Sequence, residues 1–188
     1  MERKRDFYVV VTQTGTILSR VVRFFTRKPY SHASVSFNRE LTDMASFGRL
    51  VPKNPFLAGF VHESREKGVF LLFKNTRCRV YHRKVTEEQY RRARAVVARF
   101  DEDPSIYKFN HLGILTTAFH VPLHVKNRYF CSQFVAQVLD ESGIWQADRD
   151  YALVRPYHLY QLPGFALVYE GLLRDYDPEQ ARAAEQAG

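Results

Sequence analysis

Residues 129–139 read Tyr-Phe-Cys-Ser-Gln-Phe-Val-Ala-Gln-Val-Leu, a cysteine set at the start of an amphipathic segment. Phe134, Val135, Val138 and Leu139 recur at helical spacing, which predicts a core-facing helix. Cys131 then falls in the first turn, where unpaired backbone N–H groups and the helix dipole favour an anion. A thiolate is the anion a cysteine can become, and a helix N-terminus is one way of lowering a thiol's pKa. The stretch constrains chemistry only if a histidine can take the thiol proton. Tyr30-Ser31-His32-Ala33-Ser34-Val35 offers one early in the chain. Without that partner, Cys131 reads as a small buried apolar residue.

The chain has 188 residues, enough for one well-cored domain and short for two. With 45% hydrophobic and 26% charged residues its composition is globular. No apolar run approaches the ~20 residues of a membrane span. The apolar stretch Phe7 to Val11 behind the basic N-terminus is too short for a signal-peptide core, so a cytoplasmic location is expected. Cys78 and Cys131 form no disulfide framework, which agrees with a reducing compartment. The net charge of +8 raises the question of nucleic acid. Its basic residues are scattered, however, and no nucleic-acid-binding module is recognisable. A solvated basic surface with weak attraction to anionic membranes or polymers accounts for the charge.

Along the chain, Phe7 to Thr12 is β-branched and aromatic and reads as a strand. Residues 16–26 read as a short amphipathic helix ended by Pro29, with Ile17, Val21, Phe24 and Phe25 on one side. Core packing explains that stripe, and a lipid-facing groove is the sharper alternative. Ser31 to Phe37 and Leu41 to Phe47 read as a hairpin that begins at His32. Residues 48–64 carry so much turn chemistry that an ordered loop bordering a site is expected. Val69 to Lys74 and Arg77 to Lys84 read as two further strands. Thr86-Glu87-Glu88-Gln89 is a capping box opening a helix with Tyr90, Ala93, Val97 and Phe100 on its apolar stripe. Asn110 to Phe119 reads as another helix, Arg155 to Leu159 as a helical turn and Phe165 to Leu173 as a strand. Residues 1–175 form the expected single domain, and 176–188 a frayed helix or disordered tail. Neighbouring strands without a βαβ rhythm indicate an α+β fold with an antiparallel sheet.

Neither a cofactor nor a metal is expected. His120 and His124 stand four apart, but Pro122 between them keeps them from sharing a helix face. His62, His82, His111 and His158 read as surface or capping residues, and Cys78 as a core cysteine.

Cysteine-dependent acyl transfer needs a thiolate, a histidine that activates it and later protonates the leaving group, and a group that orients the histidine. A helix-tip Cys131 and a strand-borne His32 divide that labour. Several motifs occur with them in order: Pro29-Tyr30-Ser31-His32-Ala33-Ser34-Val35-Ser36, Ala45-Ser46-Phe47-Gly48-Arg49 and Gly59-Phe60-Val61-His62-Glu63. Tyr129-Phe130-Cys131-Ser132-Gln133-Phe134-Val135, Arg155-Pro156-Tyr157 and Leu167-Val168-Tyr169-Glu170-Gly171 follow. With these the chain resembles the NlpC-type papain-like cysteine hydrolases, in their circularly permuted branch, over residues 7–173. The resemblance implies a permuted papain-like fold, an antiparallel sheet packed against the cysteine helix. It also implies Cys131 as nucleophile and His32 as general base.

In relatives the third group is a polar residue on the strand after the histidine strand. Counting along this hairpin puts Ser46 nearest that place, with Glu63 as the charged alternative if the 48–64 loop folds back. Tyr129 would place a hydroxyl near the oxyanion, beside backbone N–H groups of the helix start. The reading that results is a thiol-dependent hydrolase or acyltransferase, peptidase- or amidase-like, acting on an amide, ester or thioester. Its partner would be a small-molecule, peptide or lipid-like acyl substrate, with no specific nucleic acid. The alternative is a catalytically inactive binding protein that retains the fold, since a serine in the third position can accompany lost activity.

Overall fold

The computed structural model describes residues 3–14 and 29–187. The helix expected at 16–26 lies outside the described residues. Eight strands form one sheet in the order β7-β6-β4-β3-β2-β1-β5-β8. Its strands are β1 (Lys4–Gln13), β2 (His32–Ser36), β3 (Met44–Val51), β4 (Asn54–Glu63), β5 (Arg77–Thr86), β6 (Lys108–Phe109), β7 (Arg128–Tyr129) and β8 (Ala166–Leu172). Every pairing is antiparallel except β6 with β7. Among the described residues the α-helices are α1 (Gly68–Leu72), α2 (Glu87–Asp101), α3 (His111–Ala118), α4 (Cys131–Glu141) and α5 (Pro178–Ala187). The mixed α+β class with a mainly antiparallel sheet is what the order of elements implied.

The central strand β1 explains its own sequence. Side chains alternate across a strand, and here both faces are covered, so Phe7 to Val11 can be apolar without interruption. Phe7, Val9 and Val11 join the core beneath α2 and α4 with Val35, Phe47, Val97 and Phe134. Tyr8 and Val10 join a second core on the other face with Met44, Val80, Phe70 and Ala181. Phe47, Phe60, Phe100 and Phe134 meet at ring centroid distances of 5.1–5.8 Å, edge-on for the most part. The α2 capping box forms as read: Thr86 Oγ1 accepts from Gln89 N, and Gln89 Oε1 from Thr86 N.

Three segments differ from expectation. Residues 48–64 are not a loop. They complete β3 and form β4, paired from Met44–Glu63 to Val51–Asn54. The glycines mark close approaches within this hairpin rather than turns: Gly48 lies opposite Gly59, and a Cβ on Gly59 would stand 2.6 Å from the Tyr107 carbonyl oxygen. Residues 68–72 are the helix α1 and not a strand; an apolar run this short carries no period that separates the two. The tail is a docked helix. Ala181 is buried on the second core, and Glu185 accepts hydrogen bonds from Tyr8 at 2.8 Å and from Arg39 at 2.7 Å. Those partners are distant in sequence, which is why a polar, alanine-rich tail gave no local sign of them.

Among the described residues, no helix is long and apolar enough to cross a membrane.

Candidate active site

Helix α4 packs on β2 and β3, and this packing brings Cys131 to the end of β2 where His32 stands. The helix begins after Phe130, whose backbone is extended. Phe134 N closes the first intrahelical bond to the Phe130 carbonyl, and Gln133 Oε1 accepts from Phe130 N. The amides of Cys131 and its two successors therefore have no partner of their own within the helix. Ser132 Oγ donates to the Val154 carbonyl at 2.7 Å and fixes the turn against the following segment.

His32 is the point where three elements converge. Its Nε2–H donates to the Glu63 carboxylate, with 3.0 and 2.9 Å to the two oxygens. Cys131 lines the same cleft as the ring and is among the groups that raise the pKa of His32. Glu63 is further held by Ser34 Oγ, which donates to Oε2 at 2.7 Å. The His32 and Glu63 side chains are only 18% and 9% exposed, so this ion pair is little screened. Burial opposes the charge on His32, but the Glu63 carboxylate and the nearby Cys131 outweigh it. The imidazole is held well above its ordinary value of 6.5.

Gly48 makes the pairing sterically feasible. A Cβ there would stand 2.9 Å from Glu63 Oε1 and 3.5 Å from His32 Cε1. The ladder between β2 and β3 covers only Val35–Ala45 and Ser36–Met44. Beyond its end, Ser46 Oγ donates to the Ala33 carbonyl at 2.6 Å. Ser46 thus supports the backbone next to His32 and does not touch the ring; of the two alternatives for the histidine's partner, Glu63 is the one in contact. Tyr129 packs its ring on Phe47 and Phe100 at 5.2 Å. It belongs to the aromatic cluster beneath the sheet, and burial raises its phenol. Ser34 had no assigned role in the sequence reading. Its place two residues along the strand from His32, hence on the same face, was the available signal.

A cleft of about 60 Å³ opens on the site, lined by His32, Gly48, Glu63, Cys131, Phe109 and Ile114 among others. This volume suits a few water molecules or the reacting end of a substrate, not its whole body. Upstream of His32, Tyr30 donates to Glu170 at 3.0 Å, and Glu170 also pairs with Arg79 at 2.9 Å. On the far side, Arg155 donates to the Thr117 carbonyl and ties the end of α3 to the segment after α4.

The other histidines serve locally. His158 Nδ1 accepts from Arg155 N; burial and the Arg149 and Arg155 charges push its ring down to about 4. His62 bridges Asp43 and Asp101 at 2.9 and 2.8 Å. His82 is buried, against the expectation of a surface position, because its strand is covered on that face by α5. It bonds Asp6 at 2.7 Å. Asp6, His82 and Glu185 place ligand atoms within 4.8 Å of one another. Lys84 at 2.5 Å from Asp6 and Arg39 at 2.7 Å from Glu185 already supply the positive charge a metal would bring. The group acts as the polar lock of α5.

No family model and no curated protein matches the chain.

Proposed function

We propose that this protein is a thiol-dependent hydrolase or acyltransferase acting on an amide, ester or thioester, with Cys131 as nucleophile, His32 as acid and base, and Glu63 as the group that orients and charges His32. The observation that carries the reading is the 2.9 Å contact of His32 Nε2 with Glu63, made in a cleft that Cys131 also lines. The resemblance to the permuted NlpC-type hydrolases supports it, as does the eight-stranded sheet with the cysteine helix packed across it, read here as a permuted papain-like fold. Two unpaired thiols suit a reducing, cytoplasmic setting.

In this reading the Cys131 sulfur attacks the substrate carbonyl as a thiolate, with its proton on His32. The carbonyl π electrons move onto oxygen, and that oxyanion accepts from the free amides at the start of α4. Collapse of the intermediate expels the amine, alcohol or thiol, which takes the proton from His32 and leaves an acyl-thioester on Cys131. His32, now neutral, removes a proton from water or from an acceptor. The new nucleophile adds to the thioester, and Cys131 leaves as the thiolate. Glu63 remains ionised throughout and stabilises the imidazolium.

The non-catalytic reading drew on a serine in the third position. With Glu63 against the ring, that argument loses its ground. The test is alkylation by iodoacetamide at pH 6–7, read by peptide mass spectrometry, alongside release of thiol or amine from simple thioesters and amides. Cys131 should react far ahead of Cys78 and lose its advantage in His32→Ala. Equal, slow reaction of both thiols would overturn the proposal.

A further inference from the structure

The walls of the cleft continue outward into apolar side chains that stand exposed among the described residues. Helix α3 contributes Ile114 to the cleft. Leu112, Leu115 and Phe119, spaced to share another face of the same helical stretch, are 65%, 44% and 74% exposed. The β3–β4 hairpin contributes Ala58 to the cleft, and beside it Phe56 and Leu57 are 82% and 52% exposed. The two elements adjoin, because Gly59 of the hairpin pairs with Lys108, three residues before α3. Isolated exposed leucines are ordinary, but a grouping on both sides of a cleft mouth marks an interaction face.

Charge identifies the partner. Residues 44–62 and 104–139, which build this region, contain no aspartate or glutamate. They do contain Lys53, Lys108, Lys126 and Arg128, all exposed. Of the acidic residues that border these segments, Asp43 and Asp101 are engaged by His62, Asp150 by His124, and Glu63 by His32. Apolar side chains that can enter an acyl layer, on segments whose own charged residues are all cations, complement an interface with negative headgroups above hydrocarbon.

We infer that this face seats the protein peripherally on an anionic lipid bilayer, with the Cys131 cleft turned toward the membrane surface. The inference is independent of the chemistry proposed for Cys131, because the anchoring side chains take no part in it. A substrate held in the bilayer would need only its reacting carbonyl to enter the small cleft.

Co-sedimentation of the full chain with vesicles tests this, using phosphatidylcholine alone and an equimolar mixture with phosphatidylglycerol. The protein should sediment with the mixed vesicles and not with the neutral ones. Phe56→Ser combined with Phe119→Ser should weaken binding by about tenfold or more, and so should Lys53→Glu combined with Lys126→Glu. Both pairs are exposed, so circular dichroism should be unchanged. Cys131→Ala should bind as the wild type does, which separates failure of this inference from failure of the proposed chemistry. Absence of vesicle binding, equal binding to both vesicles, or binding indifferent to the phenylalanine pair would overturn it. So would self-association abolished by that pair, which would assign the face to a second copy of the chain.

Discussion

The two cysteines are both buried, at 0% exposure for Cys78 and 3% for Cys131, and yet they differ in nearly everything that governs reactivity. Cys78 lies on β5 between β1 and β8, opposite Thr12 and Gly171. Burial, with Glu170 adding its negative charge, pushes its thiol up to about 12. Cys131 sits at a helix start and lines an open cleft together with an imidazole that Glu63 holds above its ordinary pKa. Burial alone makes a cysteine inert. What separates them is the sign of the charge at hand and a path to solvent.

The largest effect that could break this contrast is loss of either member of the cysteine–histidine pair. Cys131→Ala and His32→Ala should each lower turnover of an acyl substrate on the order of 10³-fold or more, whereas Cys78→Ala should leave turnover unchanged; progress curves on a chromogenic thioester check this. In alkylation the same contrast appears directly. A thiol with a pKa near that of Cys78 is only ~10⁻⁵ ionised at pH 7, so Cys78 should stay unlabelled until the protein unfolds.

Glu63→Gln sharpens the comparison by removing charge while keeping shape. His32 should then titrate lower, seen in the pH dependence of its ring resonances by NMR, and turnover should fall by about 10²–10⁴-fold. The sign of the stability effect follows from His32, whose folded value lies above its ordinary 6.5. Its contribution is complete below that ordinary value and is lost as pH rises through the raised one. The stability gap between wild type and His32→Gln, measured by urea unfolding, should therefore shrink on the alkaline side. A gap that widens there would contradict the assigned charge state.

Gly48→Ala should act more mildly. The added Cβ would lie 2.9 Å from Glu63 Oε1, so the pair must shift. A displacement of this kind costs up to about 10²-fold in rate, with little loss of fold. Ser46→Ala is expected to act mainly on stability. It leaves the buried Ala33 carbonyl without the Ser46 donor, at a cost of about 1–3 kcal/mol. Labelling of Cys131 should barely change. If Ser46→Ala instead matched Glu63→Gln in rate, the hydroxyl and not the carboxylate would be orienting the ring.

Much of this contrast was legible before any coordinates, and the illegible part has one physical origin. The start of α4, the strand holding His32 and the capping box of α2 were readable because each is set by a few neighbouring residues. The reading of 48–64 as a loop failed because glycine and proline punctuate both turns and close approaches, and sequence does not say which. Only the partner strand shows that Gly48 and Gly59 face each other. The tail failed for the same reason: Glu185 finds Tyr8 and Arg39 from the far end of the chain.

By itself, then, the sequence determined an α+β chain with a cysteine at a helix tip and a histidine on a strand, because capping and periodicity are local. Tertiary structure decided which residue faces the histidine. Glu63 lies 31 residues from His32. It reaches the ring because β4 pairs along β3 in a register that sets Glu63 opposite Met44, and because Gly48 leaves the space between them empty. Register is a property of two strands at once. The difference in surroundings between the thiol at Cys78 and the cleft-lining one at Cys131 is settled there, by the groups that packing gathers around each sulfur.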